Sequence, residues 1–183
     1  MNRLSLLLFC LLISITVFTC GSTESKKFEG PFFDLAAYMQ QEIDALQENG
    51  TPLEKTITLN DETETQLVED INYSQELSLF RNADINKPAW IEKYEVDTEE
   101  LPEYRLRTIY TATDSTLMTQ QLTIIQQGAE VDAIRIVRKT GSVLSNGHQE
   151  LIYRPGEFYR IVAHQEARVG GTLSSVIEGR FQQ

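Results

Sequence analysis

The sequence predicts an α+β domain: two N-terminal helices packed on an antiparallel β-meander sheet of about six to nine strands. Three observations carry this. Apolar residues between Phe32 and Leu46 recur at three- and four-residue spacing, which is a helical stripe. From Trp90 onward the pattern changes to period two, the signature of half-buried strands. The alternating runs are separated by short, turn-rich breaks, too short for the crossovers that parallel strands need.

The elements follow in order. Pro31 suits a first helical turn, and Phe32, Leu35, Met39, Ile43 and Leu46 form the stripe of the first helix. Asn49-Gly50, followed by Pro52, is a helix stop. Leu53, Lys55, Ile57 and Leu59 share one face of a strand, with Thr56 and Thr58 on the other. Asn60-Asp61 turns the chain into Glu62–Val68, a polar hairpin partner or the start of the next helix. A second helix is expected over Asp70–Ala83, because Tyr73, Leu77 and Phe80 lie at i, i+4 and i+7. Asn86-Lys87-Pro88 ends it.

Ile91–Val96 then reads as a short strand and Asp97–Pro102 as an acidic loop. Longer strands are expected at Tyr104–Thr111, Leu117–Gln126, Val131–Lys139, Val143–Tyr153, Glu157–Gln165 and Leu173–Phe181. Turn chemistry separates them: Thr113-Asp114-Ser115, Gln127-Gly128, Thr140-Gly141, Pro155-Gly156 and Gly170-Gly171. Leu122 with Ile124, and Ile134 with Ile136, mark an apolar sheet face; Arg135, Val137 and Lys139 face the other way. The helix stripes are the available cover for the apolar face. In the alternative the sheet curls around a groove with one helix as a plug. That version resembles, on architecture alone, the half-barrel of periplasmic lipoprotein carriers.

The chain has 183 residues, long enough for one domain with a core that needs no disulfide. Its formal charge is −11, which argues against a nucleic-acid role, since neutralising phosphates needs a basic footprint. The charge is uneven: residues 20–100 hold 6 basic and 19 acidic side chains, residues 101–183 hold 9 and 8. Solvated helix surfaces ahead of a sheet explain this, and a bipolar surface that orients the domain is the sharper reading.

Residues 1–19 read as a signal peptide. Arg3 supplies a positive start, and Leu4–Phe18 is an uncharged apolar run of roughly 15 residues, short for a membrane-spanning helix. Cys20 follows, then the polar stretch Gly21-Ser22-Thr23-Glu24-Ser25-Lys26-Lys27, so residues 20–30 read as a flexible tether and 31–183 as the domain. This junction resembles the lipobox of bacterial lipoproteins. Val17 matches the branched apolar position three before the cysteine; Phe18 and Thr19 depart from the small residues usual there. The resemblance implies that Cys20 is the first mature residue and the lipid attachment site. It implies an exported protein held on a membrane of a Gram-negative cell envelope. The other cysteine, Cys10, lies in the leader, so the domain has no thiol for disulfides, thiolate metal sites or nucleophilic catalysis.

Catalytic and metal signatures are missing. The chain has no GxGxxG, P-loop, GxSxG or HExxH motif. Its two histidines, His148 and His164, are far apart in sequence and read as strand residues. Asp61-Glu62 and Glu99-Glu100 are turn carboxylates, unlike the buried, unequal pair of a glycosidase. The acidic 95–103 stretch lacks the calcium-loop pattern. No catalytic residue, cofactor or metal site is therefore assigned. Trp90, Tyr94, Tyr104, Tyr110, Tyr153, Phe158 and Tyr159 read as sheet packing, with a ring-lined groove as the functional alternative. Arg105, Arg107, Arg135, Lys139 and Arg160 read as a solvated outer face. The expected role is non-catalytic: binding or accessory work at the envelope through a protein partner. The alternative is a carrier or sensor of a lipid-like amphiphile, and a carboxylate hydrolase is the residual reading. A dry, filled core would argue against the carrier.

Overall fold

The computed structural model describes residues 30–142, 145–167 and 171–182. The leader, Cys20 and the tether up to Glu29 lie outside the described residues, as do Val143 and Gly170. Within them the chain forms one nine-stranded antiparallel sheet, crossed on one face by a 14-residue helix and two single-turn helices.

Helix α1 spans Leu35–Glu48. It begins later than Pro31 suggests, because Asp34 is its N-cap: the carboxylate accepts a 2.9 Å hydrogen bond from the Ala37 N–H. It ends where expected. Gly50 takes the left-handed conformation (φ 57°), and its N–H reaches the Gln47 carbonyl. Leu35, Met39 and Ile43 are its buried stripe. Phe32 and Phe33 enter ahead of it, clamped by Asn86, whose amide donates to both of their carbonyls and accepts from the Phe32 N–H.

The second predicted helix is not continuous. Two single-turn helices, α2 at Tyr73–Glu76 and α3 at Ser78–Arg81, replace it, with a break at Leu77 (φ −94°, ψ 11°). Segments this short have little helical stability of their own, so tertiary contacts set their path. The break lets Tyr73, Leu77, Phe80 and Ala83 all be fully buried. It also lets the Tyr73 hydroxyl donate to the Thr51 carbonyl.

The strands are β1 Leu53–Leu59, β2 Glu62–Val68, β3 Tyr94–Leu101, β4 Arg105–Ala112, β5 Thr119–Gln127, β6 Glu130–Ser142, β7 Ser145–Arg154, β8 Phe158–Ala167 and β9 Gly171–Phe181. Their order is β2-β1-β9-β8-β7-β6-β5-β4-β3. The meander is as expected from β3 to β9; the β1–β2 hairpin then adds to β9, Leu53 opposite Phe181. The sheet is open, with β2 and β3 as its edges.

Two further expectations are corrected at the β3 edge. Ile91 lies in a 3-10 stretch, Pro88–Lys93, not in a strand. The acidic loop Asp97–Pro102 is strand as far as Leu101. Its carboxylates are poor strand formers, yet every residue of β3 pairs with β4, and Glu99 meets Arg107 at 2.7 Å across the pair. Both edges carry acids, Glu62 and Glu64 on β2 and Glu95, Asp97, Glu99 and Glu100 on β3, which discourages edge-to-edge pairing.

The core lies between the helices and one sheet face, called here the inner face. Cross-strand rows fill it: Ile124–Ile134–Tyr153–Tyr159–Gly179, and beside it Tyr110–Leu122–Ile136–Leu151–Ile161. Phe80 packs edge-on against Tyr153 and Tyr159 at 5.8 and 6.1 Å. Gly179 is required here, because a Cβ would enter the Tyr159 ring. Buried hydroxyls are tied to the helices: Tyr153 donates to Glu42 at 2.7 Å and Tyr159 to Glu76, which also pairs with Lys55.

Candidate functional site

Period two places each strand residue on one sheet face, and the register aligns those faces into rows. One inner-face row runs Arg138–Gln149–Ala163–Ser175–Leu59, across β6, β7, β8, β9 and β1. On one side of it lie Ile161, Ile177 and Ile57; on the other lie Thr140, Gly147, Gln165 and Leu173. The helices do not cover this end. Ile57, Leu59 and Leu173 are 39%, 48% and 43% exposed, although they point the same way as the fully buried Leu53 and Tyr159. The floor between them, Ala163 and Ser175, is made of small side chains. The result is an open strip beside a filled core, aliphatic at Ile57, Leu59 and Leu173, polar at Gln149, Ser175 and Gln165, and bordered on β2 by Glu62 and Glu64.

Arg138 closes the β6 end of the strip. It is 6% exposed and packs under α3. Its guanidinium has meagre company. Nη1 reaches the Leu79 carbonyl at 3.5 Å and Nη2 contacts the Met118 sulfur at 2.9 Å, while Nε has no hydrogen-bond partner. No carboxylate pairs with it among the described residues, and burial alone pushes its pKa down. An unpaired buried charge is costly, and arginine, with five donors in a planar fork, is the side chain best suited to grip an anion.

The outer face is different in kind. It carries all five predicted basic residues, and four meet a carboxylate: Arg105 with Glu103, Arg107 with Glu99, Arg135 with Glu150 and Arg160 with Glu178. The fifth, Lys139, donates to the Ser115 carbonyl. At the end of this face lies a depression of about 600 Å³ lined by Lys139, His148, His164, Glu166 and Thr172. His148 and His164 are direct cross-strand partners with ring centroids 5.0 Å apart, and His164 Nδ1 lies 3.2 Å from the Ser174 hydroxyl. In sequence both read as strand residues, neither with a second histidine at metal-ligand spacing. Their pairing was nonetheless encoded in the turn: folding the chain about Pro155-Gly156 sets Arg154 opposite Phe158 and, in the same register, His148 opposite His164. Among the described residues no group of three or more His, Cys, Asp or Glu side chains is placed to share a metal ion.

Of the seven aromatics, Tyr94, Tyr110, Tyr153 and Tyr159 are core. Tyr104 is not: it is 96% exposed at the β3–β4 turn, where both it and Glu103 hold positive φ (59° and 65°). Asp84 sits near the start of α1, its pKa raised by burial against hydrogen bonds from the Ala36 and Asn86 backbone. Among the described residues no helix is long and apolar enough to cross a membrane. Comparison with protein-family models, curated proteins and solved structures finds no match to this chain.

Proposed function

We propose that this chain is an exported, lipid-anchored protein of a Gram-negative cell envelope that binds a partner without catalysing a reaction. The lipobox-like junction at Cys20 supports the anchor. The observation that carries the binding role is the cluster of exposed aliphatics Ile57, Leu59 and Leu173, left open at one end of a sheet face whose centre is filled. Exposed apolar side chains held together on a rigid sheet are a contact surface waiting for a partner. A membrane anchor is consistent with such work, because it confines the strip to the neighbourhood of a lipid surface.

A second reading is favoured by Arg138: the occupant is an amphiphile, and the protein carries or senses it. A curled sheet would offer a groove plugged by one helix; here the sheet is open and α1 and Phe80 fill the centre of the face, so the site in this reading is the uncovered strip. One preparation tests both readings. The protein is purified gently from its own host's envelope and weighed by native mass spectrometry, beside Cys20→Ala. Lipidation predicts a mass increment and membrane association that both vanish in Cys20→Ala. An additional mass that dissociates on activation supports the amphiphile; its absence together with protein cross-links at Leu59 and Leu173 supports a protein partner. A Cys20→Ala protein that stays in the membrane fraction overturns the anchor.

A further inference from the structure

We propose that the strip binds a single-chain amphiphile with an anionic head, of the long-chain fatty-acid class, its carboxylate on Arg138 and its chain lying along Gln149, Ala163, Ser175 and Leu59. The inference rests on the amphiphile reading above and deepens it by naming the head group, the chain number and the direction in which the ligand lies.

The charge argument comes first. Arg138 is the buried cation of the inner face, and its Nε points at no protein acceptor. The other described arginines on the opposite face have carboxylates within reach; this one does not. A carboxylate offers two oxygens to the guanidinium fork and supplies the missing acceptor. The neighbours are permissive. Met118 is flexible and largely exposed, and its thioether is a weak acceptor that an anion displaces easily.

The geometry argument fixes the tail. The row from Arg138 to Leu59 crosses four strand spacings of about 4.8 Å each, or roughly 19 Å, the extent of an extended chain of about 15 carbons. Its floor has the small residues Ala163 and Ser175 where the adjoining row has Ile161 and Ile177, so the surface is lower along the row than beside it. At the far end Leu59, Ile57 and Leu173 are exposed, and β2 then closes the row with Glu62 opposite Leu59 and Glu64 opposite Ile57, so the aliphatic stretch stops at β1. The low row is one residue wide, between Ile161 and Ile177 on one side and Gln165 and Leu173 on the other, which suits one acyl chain. Between the guanidinium and the β2 carboxylates the row therefore offers a cationic end and then aliphatic side chains, the polarity of a fatty acid whose chain ends short of β2.

The test uses the full chain, purified and reconstituted in nanodiscs, with two photoreactive probes: a diazirine-bearing fatty acid of palmitate length and the fatty alcohol of the same length. The acid is expected to crosslink peptides containing Leu59 and Leu173, at a concentration about tenfold below that needed for the alcohol. Arg138→Gln is expected to remove that tenfold preference. Ala163→Phe, which fills the floor at an already accessible position, is expected to abolish labelling by both probes with an unchanged melting temperature. Equal labelling by acid and alcohol in the unmodified chain overturns the role of Arg138 while leaving an apolar strip that binds chains. Labelling that survives Ala163→Phe overturns the path along the row. No labelling of these strands by either probe overturns the proposal and the amphiphile reading together.

Discussion

The inner sheet face has two ends built from the same strands, and they differ in what covers them. Under α1, α2 and α3, Leu53, Tyr153, Tyr159, Leu151 and Ile134 are fully buried. A few residues further along the same strands, Ile57, Leu59 and Leu173 are exposed. Alternation is unchanged across the boundary; the helices simply stop. Two things follow for reading such proteins. An apolar phase in a strand reports which way a side chain points, not whether anything packs on it. And an uncovered apolar stretch at the end of a well-packed face is a more specific sign of a binding surface than scattered apolar residues elsewhere.

The comparison is easily broken. Tyr153→Ala removes a fully buried ring and its hydrogen bond to Glu42, and should lower the unfolding free energy by about 3–5 kcal/mol in urea titrations. Leu59→Ser, on the same face, should change it by about 0.5 kcal/mol or less. Comparable losses at the two positions would mean that something covers both ends. Gly179→Ala should cost about 1–3 kcal/mol, because its new methyl group enters the Tyr159 ring.

Arg138→Met sharpens the boundary between the two regions. It exchanges an unpaired buried guanidinium for an apolar side chain, so the ligand-free protein should become more stable, by about 1–3 kcal/mol. A loss of stability would show that the guanidinium is well satisfied where it stands. Asp34→Ala, which removes the α1 N-cap, should cost about 1 kcal/mol and leave the strip unaltered.

The covered region should also announce itself at high pH. Burial, with Glu76 nearby, raises the Tyr73 phenol from 10.0 to about 12, and burial with Asp84 nearby does the same for Tyr94. A phenol whose folded pKa is raised favours folding fully below pH 10. That contribution is lost as the pH climbs through about 12. Unfolding free energy measured against pH should therefore fall across that window. A flat profile would mean that both phenols are solvated. At the other extreme, Lys93 and Thr116 hold the Asp114 carboxylate well below the usual range. A carbon-detected titration should find Asp114 still ionised when ordinary carboxylates have protonated, and Lys93→Met should return it toward them.

Much of the fold was legible, and the misses have physical causes. The strands from Arg105 to Phe181 announce themselves by alternation and by turn residues such as Pro155-Gly156. The 70–83 segment shows the limit of periodicity. Its i, i+4, i+7 spacing correctly marks Tyr73, Leu77 and Phe80 as core, but burying all of them with Ala83 needs a break that no local pattern encodes. The β3 edge failed for the opposite reason: acids read as loop, and cross-strand charge pairing with β4 overrides that preference. For the candidate site, one signal was present and passed over. In Ile134–Ile136–Arg138 the charge falls on the apolar phase, which already points Arg138 at the core. What the sequence does not hold is the pairing of β1 with β9, and without it Leu59 and Leu173 have no reason to be neighbours of one row.

That same pairing makes the domain slow to finish. A meander grows by adding each strand to the one just made, so β3 through β9 can assemble from contacts between neighbours in sequence. The β1–β2 hairpin cannot join them. It is made early, then has to await β9, the last strand, before its inner edge finds a partner. Until that moment α1 has the hairpin on its chain but only half of its floor, and Leu53 has no Phe181 to pack against. Closing this long loop carries an entropic toll that the local hairpins do not. Folding should accordingly run in two stages, with an exposed apolar seam in between, and a chaperone that shields such seams would act in the interval before β1 and β9 meet.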